Sequence, residues 1–256
     1  MSAVAAVPVG YSGMRLGRAR AVALVKCADA IREVLATRSL YKWAASQVGA
    51  EPMAGRATAW AAVLPPAIEV VVRRSRHGGA LATLTGELFR APRAAHELAV
   101  SLRLSRLGVP TPTIVAYALY PAFAGLWRCD VMTERLRGAD FPDAWRSAVD
   151  DTPRMAMLDA LARLLRALQD AGAFHADLNL KNVLVVPGAR MPTAYALDVD
   201  RVKFGARGDK QIAGRNFARV MRSAEKWRDR RKLGLSTRHL QYLRDAVAQT
   251  QSATDT

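Results

Sequence analysis

The sequence predicts an α+β protein with strands concentrated in its first half and helices in its second half, and its 256 residues could hold one large domain or two lobes. Residues 53–74 contain two apolar segments, and the Pro65-Pro66 pair between them predicts the turn of a β-hairpin. The second half contains an apolar stripe at helical spacing, formed by Leu158, Leu161, Leu165 and Leu168. About half of the 256 residues are apolar, which is enough for a large packed core.

The first half is predicted to contain an extension and a strand-rich lobe. Residues 1–52 are interpreted as an N-terminal extension with a flexible start and one helix, since Leu24, Cys27, Ile31 and Val34 recur at helical spacing. Residues 53–133 are interpreted as the N-terminal lobe. After the hairpin, this lobe is predicted to have a helix from Pro92 to Gly108 and strands over 113–120 and 128–133.

Residues 134–249 are predicted to form a helical C-terminal lobe, followed by a frayed polar tail at 250–256. Thr152 is the predicted N-cap of the leucine-striped helix, which stops at Gly172. Two strands are predicted next, followed by two helices that are separated near Gly234 and restarted at a Ser236 cap.

Net charge and composition limit the possible partners. The formal charge is +16, and residues 201–232 hold twelve Lys or Arg residues against three acids. Such a basic segment attracts anions: nucleic acid, acidic lipid headgroups or phosphorylated sugars. The sequence shows neither a membrane-spanning segment nor a secretory signal. Cys27 and Cys129 lie far apart and are read as core residues in a reducing compartment, the cytoplasm by default.

The main chemical motif lies after the leucine-striped helix. His175, Asp177 and Asn182 follow the HxD pattern with an Asn five residues after the Asp, and Asp198 ends the apolar strand of ALDVDR. This spacing resembles the catalytic loop and metal-binding Asp of protein kinases. Asp177 and His175 are the predicted catalytic residues, and Asp177 would orient the acceptor hydroxyl and accept its proton. Asn182 and Asp198 are the predicted ligands of the nucleotide and of Mg²⁺, which prefers carboxylate and amide oxygens.

Other interpretations of these residues are open from the sequence. His175 could be a buried histidine that braces the loop rather than reacting, and Asp177 and Asp198 could be ordinary turn acids. Asp200 could join the site or pair with Arg201.

The N-terminal lobe is expected to bind ATP through a basic strand residue paired with an acid on the next helix. Arg73 and Glu97 are the predicted pair, with Arg in place of the usual Lys. Alternatively, both are solvated surface residues. Gly55 begins GRATAW, which lies where a phosphate-binding loop belongs but lacks the GxGxxG pattern.

Taken together, the motifs resemble those of the bacterial 3-deoxy-D-manno-octulosonic acid (Kdo) kinases and the related lipopolysaccharide core heptose kinases. The motifs are VVRRSRHGG, RAAHEL, LGVPTP, HADLNLKN, LDVDR and NFARVMRSAEK, within residues 53–245, with Val where the family usually has Phe in LDVDR. The resemblance implies a bilobal protein-kinase-like fold and ATP- and Mg²⁺-dependent phosphorylation of the 4-hydroxyl of Kdo on lipid-A-linked core. It also implies a peripheral protein at the cytoplasmic face of the inner membrane.

The partners expected from this resemblance are a Kdo-lipid A type glycolipid and the anionic inner-membrane surface, with no nucleic acid. A basic helix face formed by Arg215, Arg219, Arg222 and Lys226 is consistent with them, although it could merely aid solubility. The alternatives are a core heptose kinase, an aminoglycoside-type or choline-type small-molecule kinase, and a scaffold that has lost phosphoryl transfer.

Overall fold

A computed structural model describes residues 7–53, 59–75, 87–90 and 93–252. The chain divides into two compact units. The first comprises Met1–Ala99 and Thr113–Arg135, and the second comprises Val100–Pro112 and Leu136–Thr256.

The first unit is built on an antiparallel sheet with the strand order β1-β2-β6-β7-β5-β4-β3 in the described part of the chain. Its strands are β1 (Tyr11–Leu16), β2 (Ala19–Leu24), β3 (Glu51–Met53), β4 (Ala59–Leu64), β5 (Ile68–Arg74), β6 (Ile114–Pro121) and β7 (Trp127–Glu134). The predicted hairpin is confirmed, since β4 and β5 pair from Leu64 opposite Ile68 to Ala59 opposite Arg73. The two later strands are also confirmed, as β6 and β7.

The first fifty residues differ from the prediction. The sequence indicated one helix after a flexible start, whereas β1 and β2 form a hairpin that joins the sheet through β6. Two helices follow, α1 (Ala28–Thr37) and α2 (Leu40–Ala45). Their buried side chains, including Ile31 and Trp43, pack in one hydrophobic cluster with residues of the sheet. The contacts therefore place this segment within the first unit rather than in a separate extension.

Helix α3 (Ala94–Arg106) lies close to the predicted position, although Pro92 is outside the described residues. Gly108 follows it with φ +77°, and the Val109 amide donates to the Leu104 carbonyl. This positive φ favours glycine and ends the helix at the predicted residue.

Besides the second half of α3, the described residues of the second unit form short strands and four further α-helices. Its elements are β8 (Ala139–Asp140), α4 (Phe141–Ser147), α5 (Asp151–Asp170), β9 (Ala173–His175), β10 (Val183–Val186), β11 (Thr193–Ala196), β12 (Val202–Phe204), α6 (Lys210–Arg231) and α7 (Thr237–Ser252). Strands β11, β10 and β8 form one small sheet, and β12 pairs with β9 in another.

Helix α5 is the leucine-striped helix, and all four stripe leucines are buried in the core of this unit. Its N-cap is Asp150, whose side chain accepts from the Thr152 amide, so the prediction of Thr152 as the cap was wrong by two residues. Asp150 caps as well as Thr because its carboxylate also interacts favourably with the helix N-terminus.

The two C-terminal helices are confirmed. Gly234 has φ +75° between them, and Ser236 begins the second helix by accepting a bond from the His239 amide. Helix α7 continues to Ser252, so the segment predicted as a frayed tail is helical for its first three residues.

Candidate active site

A β-hairpin brings Asn182 and Asp198 together. Strands β10 and β11 pair antiparallel with Val183 opposite Ala196. Asn182 immediately precedes the first strand and Asp198 follows the second by two residues. The Leu197 amide donates to the Asn182 carbonyl at 2.9 Å, which extends the pairing past the strand ends. Two residues that are 16 positions apart in the sequence therefore lie at one end of the same hairpin.

Asp198 leaves the strand in an unusual backbone conformation. Its φ and ψ are 53° and 52°, in the left-handed region. Aspartate tolerates this region better than most residues, but such backbones still cost energy and cluster at functional sites. The turn starts a short 3₁₀ helix, Val199–Arg201, and leaves the Asp198 side chain exposed. An exposed carboxylate at a hairpin end is accessible to a cation.

The Asn182 amide has a defined orientation. Its nitrogen donates to the Asp177 carbonyl at 2.9 Å, and the Asn179 amide nitrogen donates to the same carbonyl at 2.8 Å. Because the nitrogen of Asn182 is used inside the loop, the oxygen of the same amide is the atom able to bind a cation. The two asparagines also fix the backbone of Asp177.

His175 braces the loop from inside the protein. It is fully buried, its Nε2 lies 2.9 Å from the Leu197 carbonyl, and its Nδ1 accepts from the Asp177 amide at 3.2 Å. These partners require a neutral ring with the proton on Nε2. Burial lowers the pKa of His175, which favours the same neutral form. His175 thus links the strand that carries Asp177 to the turn that carries Asp198.

Asn216, on α6, was assigned no separate role from the sequence. It is fully buried, its Oδ1 accepts from the His175 amide at 3.0 Å, and its Nδ2 donates to the Ala173 carbonyl at 2.8 Å. These bonds anchor β9, and hence His175, to the helix. The sequence signal for this residue was the motif NFARVMRSAEK, which begins with Asn216.

Asp177 is held by two arginines. The Arg201 guanidinium donates to it at 3.0 Å, and an Arg219 nitrogen lies 3.7 Å from its other oxygen. The Asp177 side chain is 46% exposed, so its carboxylate remains accessible to solvent and ligands. Neither arginine was predicted from the sequence to contact Asp177. Arg219 was instead assigned to a free basic face.

The structure changes the interpretation of that face. Arg219 is only 32% exposed because it reaches Asp177, and the Arg215 guanidinium lies 3.7 Å from the ring centroid of Phe174. Of the four residues predicted to form an exposed basic face, only Arg222 and Lys226 are exposed and make neither an ion pair nor a ring contact of this kind with the residues that the structure describes. On the opposite side of α6, Val220 and Ala224 are buried as predicted, and Phe217 and Trp227 are partly buried.

Lys181 lies next to the loop but is held by acids of another element. Its Nζ donates to Asp140 at 2.6 Å and to Asp143 at 3.3 Å. These two carboxylates raise the pKa of Lys181 against the opposing effect of its burial. Asp200, which the sequence left between two roles, is half-buried on the 3₁₀ helix after Asp198.

In the first unit, Arg73 and Glu97 form the ion pair that the sequence predicted. Arg73 lies on β5 and Glu97 on α3, and a guanidinium nitrogen of Arg73 donates to the Glu97 carboxylate. Glu97 is nearly buried, whereas the Arg73 side chain is 31% exposed. The pair thus links β5 to α3 through a partly exposed arginine and a nearly buried glutamate.

The neighbouring Arg74 is bound differently. Its guanidinium donates to Asp130, which has no exposed surface, and to Glu87, at 3.1 and 3.0 Å. It also stacks on the Tyr41 ring at 4.5 Å. These contacts occupy Arg74 within the unit. Two adjacent arginines on one strand therefore have distinct environments, and Arg73 is the more exposed of the two.

The phosphate-loop prediction at Gly55 lies outside the described residues. Among the residues that the structure describes, no helix is both long enough and apolar enough to cross a bilayer.

Comparisons with known proteins confirm the family resemblance. Residues 36–245 match the sequence profile of the Lipopolysaccharide kinase (Kdo/WaaP) family. The 3-deoxy-D-manno-octulosonic acid kinase of Xylella fastidiosa (strain M12) is 27% identical over 197 residues, covering 75% of this chain and 76% of that protein. The kinase of the same name from strain 9a5c is 27% identical over 209 residues, covering 80% of both proteins. That of Haemophilus influenzae (strain 86-028NP) is 25% identical over 165 residues, covering 62% of this chain and 67% of its own.

A solved structure described as WaaP in complex with acyl carrier protein matches the fold with a TM-score of 0.50 and 17% identity, covering 83% of each chain. This match supports the predicted protein-kinase-like fold, with a β-rich N-terminal part and a helical C-terminal part. From the profile match over most of its length, the chain belongs to the lipopolysaccharide kinase (Kdo/WaaP) family and is a phosphotransferase.

Proposed function

We propose that this kinase transfers the γ-phosphoryl group of ATP to the 4-hydroxyl of Kdo in the lipid-A-linked lipopolysaccharide core. The observation that supports this most strongly is the arrangement around the β10–β11 hairpin. There, Asn182 and Asp198 lie at one end of the hairpin. The Asn182 side chain donates to the Asp177 carbonyl, and the His175 ring hydrogen-bonds both the Asp177 amide and the carbonyl of Leu197, which precedes Asp198.

The residues at the hairpin end fit a nucleotide-bound magnesium ion. Mg²⁺ in such sites binds one or two protein oxygens, and water and substrate phosphates supply the rest. Asp198 offers an exposed carboxylate, and Asn182 offers the oxygen of the amide whose nitrogen donates to the Asp177 carbonyl. When bound, Mg²⁺ and ATP supply the phosphoryl group and offset the charge that develops on it.

Asp177 has the exposure and support needed by the residue that accepts the hydroxyl proton. Its backbone is fixed through bonds to Asn179, Asn182 and His175. Its carboxylate is oriented by Arg201 and Arg219. A carboxylate held in one direction can place an acceptor hydroxyl for in-line attack and take its proton as the phosphoryl group moves. His175, being neutral and buried, positions this loop without titrating near neutral pH.

Arg73 is the proposed phosphate ligand of the first unit. Its planar guanidinium can bind phosphate oxygens in a bidentate manner, which a lysine ammonium cannot do. Glu97 keeps that guanidinium in one orientation. Gly55 is the proposed backbone contact to the phosphates.

The acceptor that we propose is an anionic glycolipid carrying the carboxylate of Kdo. Arg201 and Arg219 lie beside the Asp177 carboxylate, where a second carboxylate would meet two cationic side chains. The excess of basic residues over 201–232 raises the local concentration of such an acceptor. We further propose that the protein acts peripherally at the cytoplasmic face of the inner membrane.

Mass spectrometry of Kdo-lipid A incubated with the protein, ATP and magnesium tests the assignment. The expected product carries one additional phosphate, and chemical removal of Kdo should release that phosphate with the sugar. A phosphate on a heptose of a longer core would identify a heptose kinase instead. Phosphorylation of a soluble amino sugar with Kdo-lipid A unchanged would refute the lipopolysaccharide acceptor.

A further inference from the structure

Three arginines surround a cavity at one end of the sheet of the first unit. Arg15 lies on β1, Arg18 in the turn, and Arg20 on β2, and all three are exposed. Together with the β6–β7 turn they line a cavity of about 270 Å³. None of these residues belongs to a motif that the sequence singled out.

The three charges have no carboxylate partner within the described ranges. The Arg15 Nε donates to the Gly17 carbonyl at 3.3 Å, and the Arg20 guanidinium lies 5.5 Å from the Trp127 ring centroid. Arg15 and Arg20 stand directly opposite each other in the β1–β2 pairing. Like charges in such cross-strand positions repel and destabilise a hairpin. The fold therefore holds cations together where an anionic ligand would relieve their repulsion.

An exposed aromatic side chain lies at the same end of the sheet. Since β2 and β6 are antiparallel, with Arg20 opposite Leu119, the β1–β2 and β6–β7 turns are neighbours. The β6–β7 turn is closed by a bond from the Leu126 amide to the Phe123 carbonyl at 3.0 Å. Phe123 is 68% exposed at the tip of that turn. Leu126 and Trp127, which line the cavity, add apolar surface behind it.

We propose that this hairpin surface, comprising Arg15, Arg18, Arg20 and Phe123, binds the phosphate-bearing surface of an anionic lipid bilayer. Arginines near such a surface are attracted to lipid phosphates, and their guanidiniums bind phosphate oxygens in pairs. An aromatic ring among them inserts at the headgroup level, where it leaves water without entering the bilayer centre. A soluble phosphate would use the arginines but would gain nothing from Phe123, which favours the lipid source.

Vesicle co-sedimentation tests the surface directly and requires no phosphoryl transfer. The full-length protein is mixed, without ATP, with vesicles of phosphatidylglycerol and phosphatidylcholine or of phosphatidylcholine alone. Replacing Arg15, Arg18 and Arg20 together by Gln should weaken binding to the anionic vesicles about 100-fold, at about fivefold per arginine. Phe123→Ala should weaken it about tenfold, and this loss should resist salt because it removes apolar contact.

The matched control is Arg222→Gln with Lys226→Gln, which removes two exposed cations from α6. This variant should bind anionic vesicles within about threefold of the unchanged protein. The triple arginine variant should keep its thermal midpoint or raise it, because cross-strand repulsion is removed. A lower midpoint in that variant would point to a structural role for the arginines.

Three outcomes would overturn the proposal. They are unchanged vesicle binding by the triple variant, a larger loss in the α6 control, and arginine-dependent binding of inorganic phosphate with no binding to vesicles. Because kinase activity is not measured, vesicle binding can succeed or fail whether or not Kdo is the acceptor.

Discussion

Replacing Arg74 by Met should unfold the first unit much more readily than replacing Arg73 by Met. Asp130 is fully buried, and its pKa is raised by that burial even with Arg74 beside it. Removing Arg74 leaves this carboxylate with hydrogen bonds from Tyr41 and Tyr120 but no paired cation. Breaking a buried ion pair costs about 3–5 kcal/mol. We use the lower end because these two hydrogen bonds remain.

A loss of about 3 kcal/mol should lower the thermal midpoint by roughly 6–12 °C in a protein of this size. The deficit should also depend on pH. Without Arg74, the pKa of Asp130 in the folded state rises further above its unfolded value, so stability is lost as the pH rises and regained as the carboxyl is protonated. The double variant Arg74→Met, Asp130→Asn should recover part of the lost stability at pH 8.

Arg73→Met provides the functional contrast. This variant should lose less stability than Arg74→Met, since Arg73 is the more exposed of the two. Its kcat/KM for ATP should fall roughly 10- to 100-fold if the proposed charged contact to phosphate is lost. Differential scanning fluorimetry from pH 5 to 8 and steady-state kinetics measure these effects. Equal midpoints in the two single variants, or a deficit in Arg74→Met that grows toward acid pH, would refute the reasoning.

Three other expectations follow from the structure. Burial lowers the pKa of His175, so the free energy of unfolding of the wild type should decrease as the pH drops below about 6.5, where the unfolded chain gains a proton. His175→Gln should make the free energy of unfolding, measured by urea titration, depend less steeply on pH. Parallel curves of free energy against pH for the two proteins would contradict this. Arg219→Gln should reduce the rate of phosphoryl transfer about tenfold and leave the affinity for ATP unchanged, because it removes the ion pair with Asp177. Arg222→Gln should leave both the rate and the affinity unchanged. Equal effects of the two variants on the rate would contradict a role of the Arg219–Asp177 ion pair in transfer. Gly172→Ala should lower the free energy of unfolding by more than about 2 kcal/mol, because the added Cβ would lie 2.3 Å from a carbonyl oxygen. Gly208→Ala has a similar φ but open space around the added Cβ, so it should lower the free energy of unfolding by about 1 kcal/mol. Similar urea midpoints for the two variants would contradict this.

Most of the structural features that were predicted correctly depend on residues that lie close together in the sequence. The β4–β5 hairpin, the leucine stripe of α5 and the Gly108 stop depend on neighbouring residues, and each was found close to its predicted place. Asn182 and Asp198 were also predictable as a pair, because a single hairpin separates them. Such a short connection leaves few ways for the two residues to be far apart.

Other features depended on contacts that the sequence does not display. Strand β1 contains Ser12 and Gly13, which are poor strand formers, and it is held mainly by pairing with β2. The basic periodicity of α6 indicated one exposed face, but periodicity does not show what lies opposite each residue. Arg219 shares that face and reaches Asp177 because the helix packs beside the loop that carries Asp177.

The most direct test of the account is Asp177→Ala, assayed in parallel for ATP binding by calorimetry and for transfer to Kdo-lipid A by mass spectrometry. We expect ATP affinity within about threefold of wild type, because Asn182, Asp198 and Arg73 are untouched, and turnover lower by about 10²–10⁴. A variant that still phosphorylates the glycolipid at the wild-type rate would contradict the role given to Asp177.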